Sequence, residues 1–123
     1  TDRVYAALEK IDPKGEVEIV VNIQGDQPTL DPEIVKAVLT PFENPVVDIA
    51  TPVVFQEDGE AKKNQNVVKA ILAVGEDKIH RALYFTRAHA PFFGEAFYYH
   101  LGVYAYRRAA LKKFVSLPPS AIE

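Results

Sequence analysis

Asp26 stands in a polar loop, Gln24-Gly25-Asp26-Gln27-Pro28, three residues past a β-branched run. A lone carboxylate placed there can hold Mg²⁺ that also binds the phosphates of a nucleotide. It can equally satisfy backbone N–H groups within a turn. His100 and Tyr104 lie four residues apart in an aromatic-rich stretch, Phe97 to Arg107, with Gly102 between them. In one continuous strand that spacing puts both on one face, and the glycine leaves room for a ligand between imidazole and phenol. Tyr98 and Tyr106 share the pattern, which also describes a packed aromatic face. Arg87 ends the stretch Tyr84-Phe85-Thr86-Arg87. Its planar fork suits a carboxylate or phosphate, or else an ordinary surface ion pair. His80 and His89 have no partner pattern that points to metal. Lys62-Lys63, and Arg107-Arg108 with Lys112-Lys113, read as solvated helical faces rather than a phosphate track. No G-x-x-x-x-G-K-[ST], G-x-G-x-x-G or G-x-S-x-G motif occurs.

The elements that must position these residues follow from periodicity. Val4, Ala7, Leu8 and Ile11 share one face of a helix that opens near Thr1 and ends at Asp12-Pro13-Lys14-Gly15. Glu16 to Ile23 has the continuous apolar middle of a strand covered on both faces. Asp31 before Pro32 is an N-cap followed by a proline at the first helical position. Ile34, Val35, Val38, Leu39 and Phe42 give that helix its apolar stripe. Strand, polar loop and helix in this order build open parallel sheets.

Val46 to Phe55 reads as a further strand with an irregularity at Pro52. Gln56 to Gln65 is a polar surface connection with room for a short helical turn. Asn66–Val74 and Lys78–Thr86 alternate around Gly75-Glu76-Asp77, a hairpin. Pro91 to Ala96 reads as a loop. Ala109, Ala110, Leu111, Phe114 and Val115 form a last helix, stopped by Pro118-Pro119. Ser120-Ala121-Ile122-Glu123 has the spacing of a capping box, so a helix is expected to open where the sequence stops.

Composition narrows the function classes. Of 123 residues, 48% are hydrophobic and 25% charged, with a net charge of -3, an ordinary globular balance. That argues against a nonspecific nucleic-acid binder or a polybasic membrane binder. With no Cys, a disulfide framework, a thiolate metal site and a Cys nucleophile are excluded within these residues. No apolar run approaches membrane-spanning length.

In their order along the chain, four motifs are specific. They are Val20-Val21-Asn22-Ile23-Gln24-Gly25-Asp26-Gln27-Pro28, Asn66-Val67-Val68-Lys69, Ala82-Leu83-Tyr84-Phe85-Thr86-Arg87-Ala88 and His100-Leu101-Gly102-Val103-Tyr104-Ala105-Tyr106-Arg107. The sequence strongly resembles the 3-deoxy-manno-octulosonate (Kdo) cytidylyltransferases, the CMP-Kdo synthetases. Thr1-Asp2-Arg3 resembles the tail of the family's Ser-Gly-Thr-acid-Arg segment, and the likeness runs over essentially the whole chain.

The resemblance implies an α/β fold, part of a nucleotide-sugar-transferase-like (Rossmann-like) three-layer domain with a mixed, mostly parallel sheet and a β-hairpin. Residues 1–123 would be a single incomplete domain. The family's nucleotide-binding half, with its Arg- and Gly-containing loop and a Lys for the phosphates, is expected before it, and a further acidic sugar ligand and second metal-binding Asp after it. The implied reaction joins Kdo to CTP, giving CMP-Kdo and pyrophosphate for lipopolysaccharide core synthesis. By position, Asp26 matches the family's catalytic, Mg²⁺-binding Asp and Gln24 a sugar-contacting Gln, while Arg87, His100 and Tyr104 match residues lining the sugar pocket. A cytoplasmic homodimer is implied, with no nucleic-acid polymer or membrane as partner. The stretch from Arg87 to His100 is shorter than is usual, and Gln27 replaces the common Glu. Two other readings stand beside this one: a cytidylyltransferase for another acid sugar such as sialic acid, and a non-catalytic α/β interaction module. The His100-to-Tyr104 motif favours Kdo.

Overall fold

Asp31 caps its helix as expected. Its carboxylate accepts from the Glu33 N–H at 2.9 Å, and α2 runs Pro32–Leu39. Such a cap stabilises a helix by about 1 kcal/mol. The remaining elements of the computed structural model, which describes residues 1–25, 29–73 and 79–120, follow in chain order. They are α1 (Asp2–Ile11), β1 (Ile19–Asn22), a 3₁₀ turn after α2 (Thr40–Glu43), β2 (Ile49–Ala50), β3 (Val53–Glu57), α3 (Gly59–Lys63), β4 (Lys69–Ala73), β5 (Arg81–Thr86), β6 (Ala96–His100), β7 (Tyr104–Arg107) and α4 (Arg108–Val115). The chain divides into two units, Thr1–Ala50 with Val103–Glu123, and Thr51–Gly102.

The first unit is built on a three-stranded sheet of order β1-β7-β2. Alternation along β1 feeds both of its faces. Ile19 and Val21 pack with Val38, Phe42, Ala50 and Ala105 on the α2 side. Val20 packs with Leu8, Tyr106 and Leu111, which tie α1 and α4 to the other side. Helix, sheet and helix thus form three layers, and the expected two-sided strand is confirmed. The expected mostly parallel pairing needs correction. β1 and β2 both run antiparallel to β7 and so parallel to each other, but β7 lies between them. Every ladder among the described residues is therefore antiparallel. Local periodicity gives the direction of a crossover and carries no signal that a later strand fills the gap.

The second unit is a four-stranded antiparallel sheet of order β3-β6-β4-β5. The hairpin expected around residues 75–77 is present as β4 and β5, with a register shift at Ile71/Leu72; its turn lies outside the described residues. Phe97 is buried on β6, against which α3 packs.

Two expected strands are broken, the first at the irregularity expected at Pro52 and the second where continuity is expected. Val46–Phe55 divides at Thr51-Pro52, where the proline offers no N–H to a ladder. Phe97–Arg107 divides at Leu101-Gly102-Val103, and Gly102 adopts φ 75°, a conformation that favours glycine. His100 therefore ends β6 in one sheet and Tyr104 begins β7 in another, so the shared-face argument for that pair fails. Gly102 is needed for backbone conformation rather than to make room between two side chains. The capping box at Ser120–Glu123 falls largely on residues 121–123, outside the described residues.

Candidate active site

Within the first unit, Gln24 and Tyr104 come to the same end of the sheet. Asn22, the last residue of β1, pairs with Tyr104, the first of β7, and Gln24 is exposed two residues beyond that pair. Burial pushes the Tyr104 phenol above its ordinary value, with a smaller push from Tyr106. The two rings stack with centroids 6.0 Å apart. A protonated phenol there can donate to a ligand oxygen. Asp26 continues the loop past Gln24 and lies outside the described residues. A carboxylate is the hard oxygen donor that Mg²⁺ prefers. Among the described residues, no group of three or more His, Asp or Glu could hold a metal ion.

Arg87 and His100 stand at one sheet end in the second unit, on either side of β4. Lys69 begins β4 and pairs with Thr86 on one side and Tyr99 on the other. Arg87 and His100 each follow one of those partners, so both stand at the same sheet end. Their neighbourhood is packed: the His100 ring lies 4.6 Å from that of Phe85, and its backbone N–H donates to the Val68 carbonyl at 3.0 Å. His100 Nε2 and Thr51 Oγ1 are hydrogen-bonded at 2.8 Å. Burial lowers the imidazole's pKa from its ordinary 6.5, favouring the neutral ring near pH 7. A neutral ring carries one donor and one acceptor, and Nε2 spends one of them on Thr51.

Arg87 does not form a surface ion pair among the described residues. Its Nη1 donates to the carbonyls of Gln65 at 3.1 Å and Asn66 at 3.3 Å. His80 sits edge-on to Tyr98 and His89 beside Phe92, each in an aromatic pair.

Of the six basic residues read as solvated faces, Lys63, Lys112 and Lys113 are exposed as expected, and the other three are something else. Lys62 is fully buried and donates to the carbonyls of Phe93 and Gly94 at 3.2 and 2.8 Å. Arg107 donates to the carbonyls of Val47, Phe42 and Asn44 at 2.9, 2.9 and 3.2 Å. Arg108 pairs with Asp12 and, at 2.9 Å, with Glu9. Each is held by backbone carbonyls or acids distant in sequence. Sequence reasoning also passed over Lys69, which is fully buried. The available signal was its position in period two with Val67 and Ile71, on an otherwise apolar strand face.

Comparison with known proteins agrees with these motifs. The family model described as cytidylyltransferase matches residues 1–123. A 3-deoxy-manno-octulosonate cytidylyltransferase of Rhizobium meliloti (strain 1021) is 53% identical over the whole chain, which covers 49% of that relative. One from Rhodopseudomonas palustris (strain BisB18) is 54% identical, with 50% of its length covered. A solved structure of CMP:2-keto-3-deoxy-manno-octonic acid synthetase complexed with CTP is similar at a TM-score of 0.82 and 29% identity, over 98% of this chain and 48% of that one. The chain thus spans about half the length of the curated relatives it matches. Across all its residues, Thr1 to Glu123, this chain belongs to the cytidylyltransferase family.

Proposed function

We propose that the full-length protein containing this chain is a CMP-Kdo synthetase, joining Kdo to CTP and releasing pyrophosphate, for lipopolysaccharide core synthesis. The observation that carries this reading is identity above 50% along the whole chain to relatives bearing that activity's name. Arg87 and His100 at one sheet end support it, because a cation and a neutral hydrogen-bonding ring both suit an acidic sugar.

In the proposed reaction the anomeric hydroxyl oxygen of Kdo bonds to the α-phosphorus of CTP. The bond from that phosphorus to the bridging oxygen breaks, pyrophosphate leaves in line, and the hydroxyl proton passes to solvent. Arg87 pairs with the sugar carboxylate, while His100, Tyr104 and Gln24 hold sugar oxygens in an attacking geometry. Asp26 would hold Mg²⁺, which when bound supplies charge neutralisation at the phosphates. Positioning and electrostatics then supply most of the rate.

We also propose a cytoplasmic homodimer. No described helix is long and apolar enough to cross a membrane. Phe55, Leu83, Phe92 and Phe93 of the second unit are exposed, which supports a partner face; size-exclusion of the full-length protein tests it. The activity is tested by pyrophosphate release from CTP, expected only with Kdo and Mg²⁺ both present. Equal turnover with sialic acid would overturn the Kdo assignment.

A further inference from the structure

The second unit buries a cation that has no carboxylate partner among the described residues. Lys69 is fully buried, and its Nζ donates to the carbonyls of Asn64 at 2.7 Å, Val67 at 2.9 Å and Arg87 at 3.1 Å. Three N–H donors meet three acceptors, so the ammonium is saturated. Burying a charge on neutral carbonyls is costly compared with burying an apolar side chain of similar size. Filling space is therefore a poor account of a lysine here.

The three carbonyls converge on Arg87. One belongs to Arg87 itself. The other two bracket Gln65 and Asn66, whose own carbonyls receive Nη1 of Arg87. The turn at residues 64–67 and the end of β5 are thus bonded to each other twice, by the Lys69 ammonium and by the Arg87 guanidinium. Both Arg87 side-chain bonds leave from Nη1. Nε–H and Nη2–H₂, the edge that grips a carboxylate with two parallel bonds, carry none among the described residues.

We propose that Lys69 is a positioning residue for Arg87: its buried ammonium fixes the carbonyl cradle that turns the Nε–Nη2 edge toward a substrate carboxylate. The inference rests on Arg87 being the carboxylate ligand of the proposed reaction. It predicts that loss of Lys69 weakens recognition of the acid sugar and leaves nucleotide recognition intact.

The test is a double-mutant cycle in the full-length protein, with KM measured separately for Kdo and CTP. Lys69→Met should raise the KM for Kdo about tenfold and leave that for CTP within about twofold, and Arg87→Ala should raise the KM for Kdo at least as much. Since Lys69 acts through Arg87, the double variant should be no worse than Arg87→Ala alone. Lys69→Gln, which keeps two N–H donors, should recover part of the loss and stands in for the Met variant if that fails to fold. The unmutated protein offers another readout: the ¹⁵N-ammonium resonance of Lys69 should move when Kdo is added and stay in place with CTP. Additive effects in the cycle, equal rises in both KM values, or an ammonium signal indifferent to Kdo overturn the proposal. A raised KM in Arg87→Ala with none in a folded Lys69 variant overturns the role of Lys69 alone. An unchanged KM in Arg87→Ala removes Arg87 as the ligand and takes the proposal with it.

Discussion

Arg107 gives the sharpest test of how the first unit is held together. Nε donates to Val47 O at 2.9 Å and Nη2 to Phe42 O at 2.9 Å, both partly buried, with a more exposed bond to Asn44 O at 3.2 Å. The guanidinium carbon also lies 5.3 Å from the Phe42 ring centroid. A hydrogen bond from a charged donor contributes about 1.5–3 kcal/mol net, and such bonds from one group are not additive. Arg107→Met keeps the aliphatic stem and leaves all three carbonyls without this donor, so it should cost about 3–5 kcal/mol. Arg107→Lys keeps the charge and its attraction to Phe42 but loses the fork that aims Nε and Nη2 at separate carbonyls; about 2 kcal/mol is expected. Urea unfolding of the full-length protein reads this directly. With a slope of about 2 kcal/mol per molar, the lysine variant should lower the midpoint by about 1 M. A midpoint within about 0.25 M of the parent for both variants, at unchanged slope, would show that Arg107 is the solvated charge its sequence context suggests.

Leu111→Ala removes a fully buried side chain between Leu8 and Tyr106 and should cost about 2–5 kcal/mol by the same denaturation. Asp12 accepts from the Glu16 and Val17 N–H groups and from Arg108; its pKa is lowered, chiefly by the Val17 bond and against the opposing effect of burial. A carboxyl depressed in the folded state gives stability that is present above its unfolded pKa and lost as pH falls through the folded one. Asp12→Asn should therefore flatten the acid limb of a stability–pH curve, and an unaltered limb would deny the linkage. His100→Ala should raise the KM for Kdo about tenfold, the value of one hydrogen bond, with little change for CTP; matched rises would mean packing. Asp26→Asn should cut kcat about 100-fold or more, and near-normal turnover would remove Asp26 from the metal site.

What the sequence made legible was local. The Asp31-Pro32 start, the hairpin strands and the break at Pro52 each depend on residues within a few positions of one another. What stayed hidden was long-range. Nothing near Arg107 says that the carbonyls of residues 42–47 lack donors, and nothing near Lys62 points to Phe93 and Gly94. Clustered lysines and arginines looked solvated because charge is usually exposed. Here several answer backbone acceptors left over by turns. The division between His100 and Tyr104 was hidden in another way, since alternation continues across a bend that one positive-φ glycine introduces. Gln24 was found by motif, whereas Arg87, His100 and Tyr104 were also singled out by residue type and spacing. Strand register puts Gln24 and Tyr104 at one sheet end and Arg87 and His100 at one end of the other sheet.

The pairing of β2 with β7 and of β3 with β6 has a wider consequence. Ala50 faces Ala105 on one side of the breaks, and Val53 faces His100 on the other. Leu101 N–H donates to Pro52 O at 3.3 Å, and Thr51 meets His100. Thr51–Gly102 is thus a cassette whose own two ends are hydrogen-bonded to each other. Segments anchored in this way can be lengthened, trimmed or exchanged while the host framework keeps its register. A change of length between Arg87 and His100 can then be absorbed within the second unit while the core around Leu111 keeps its packing.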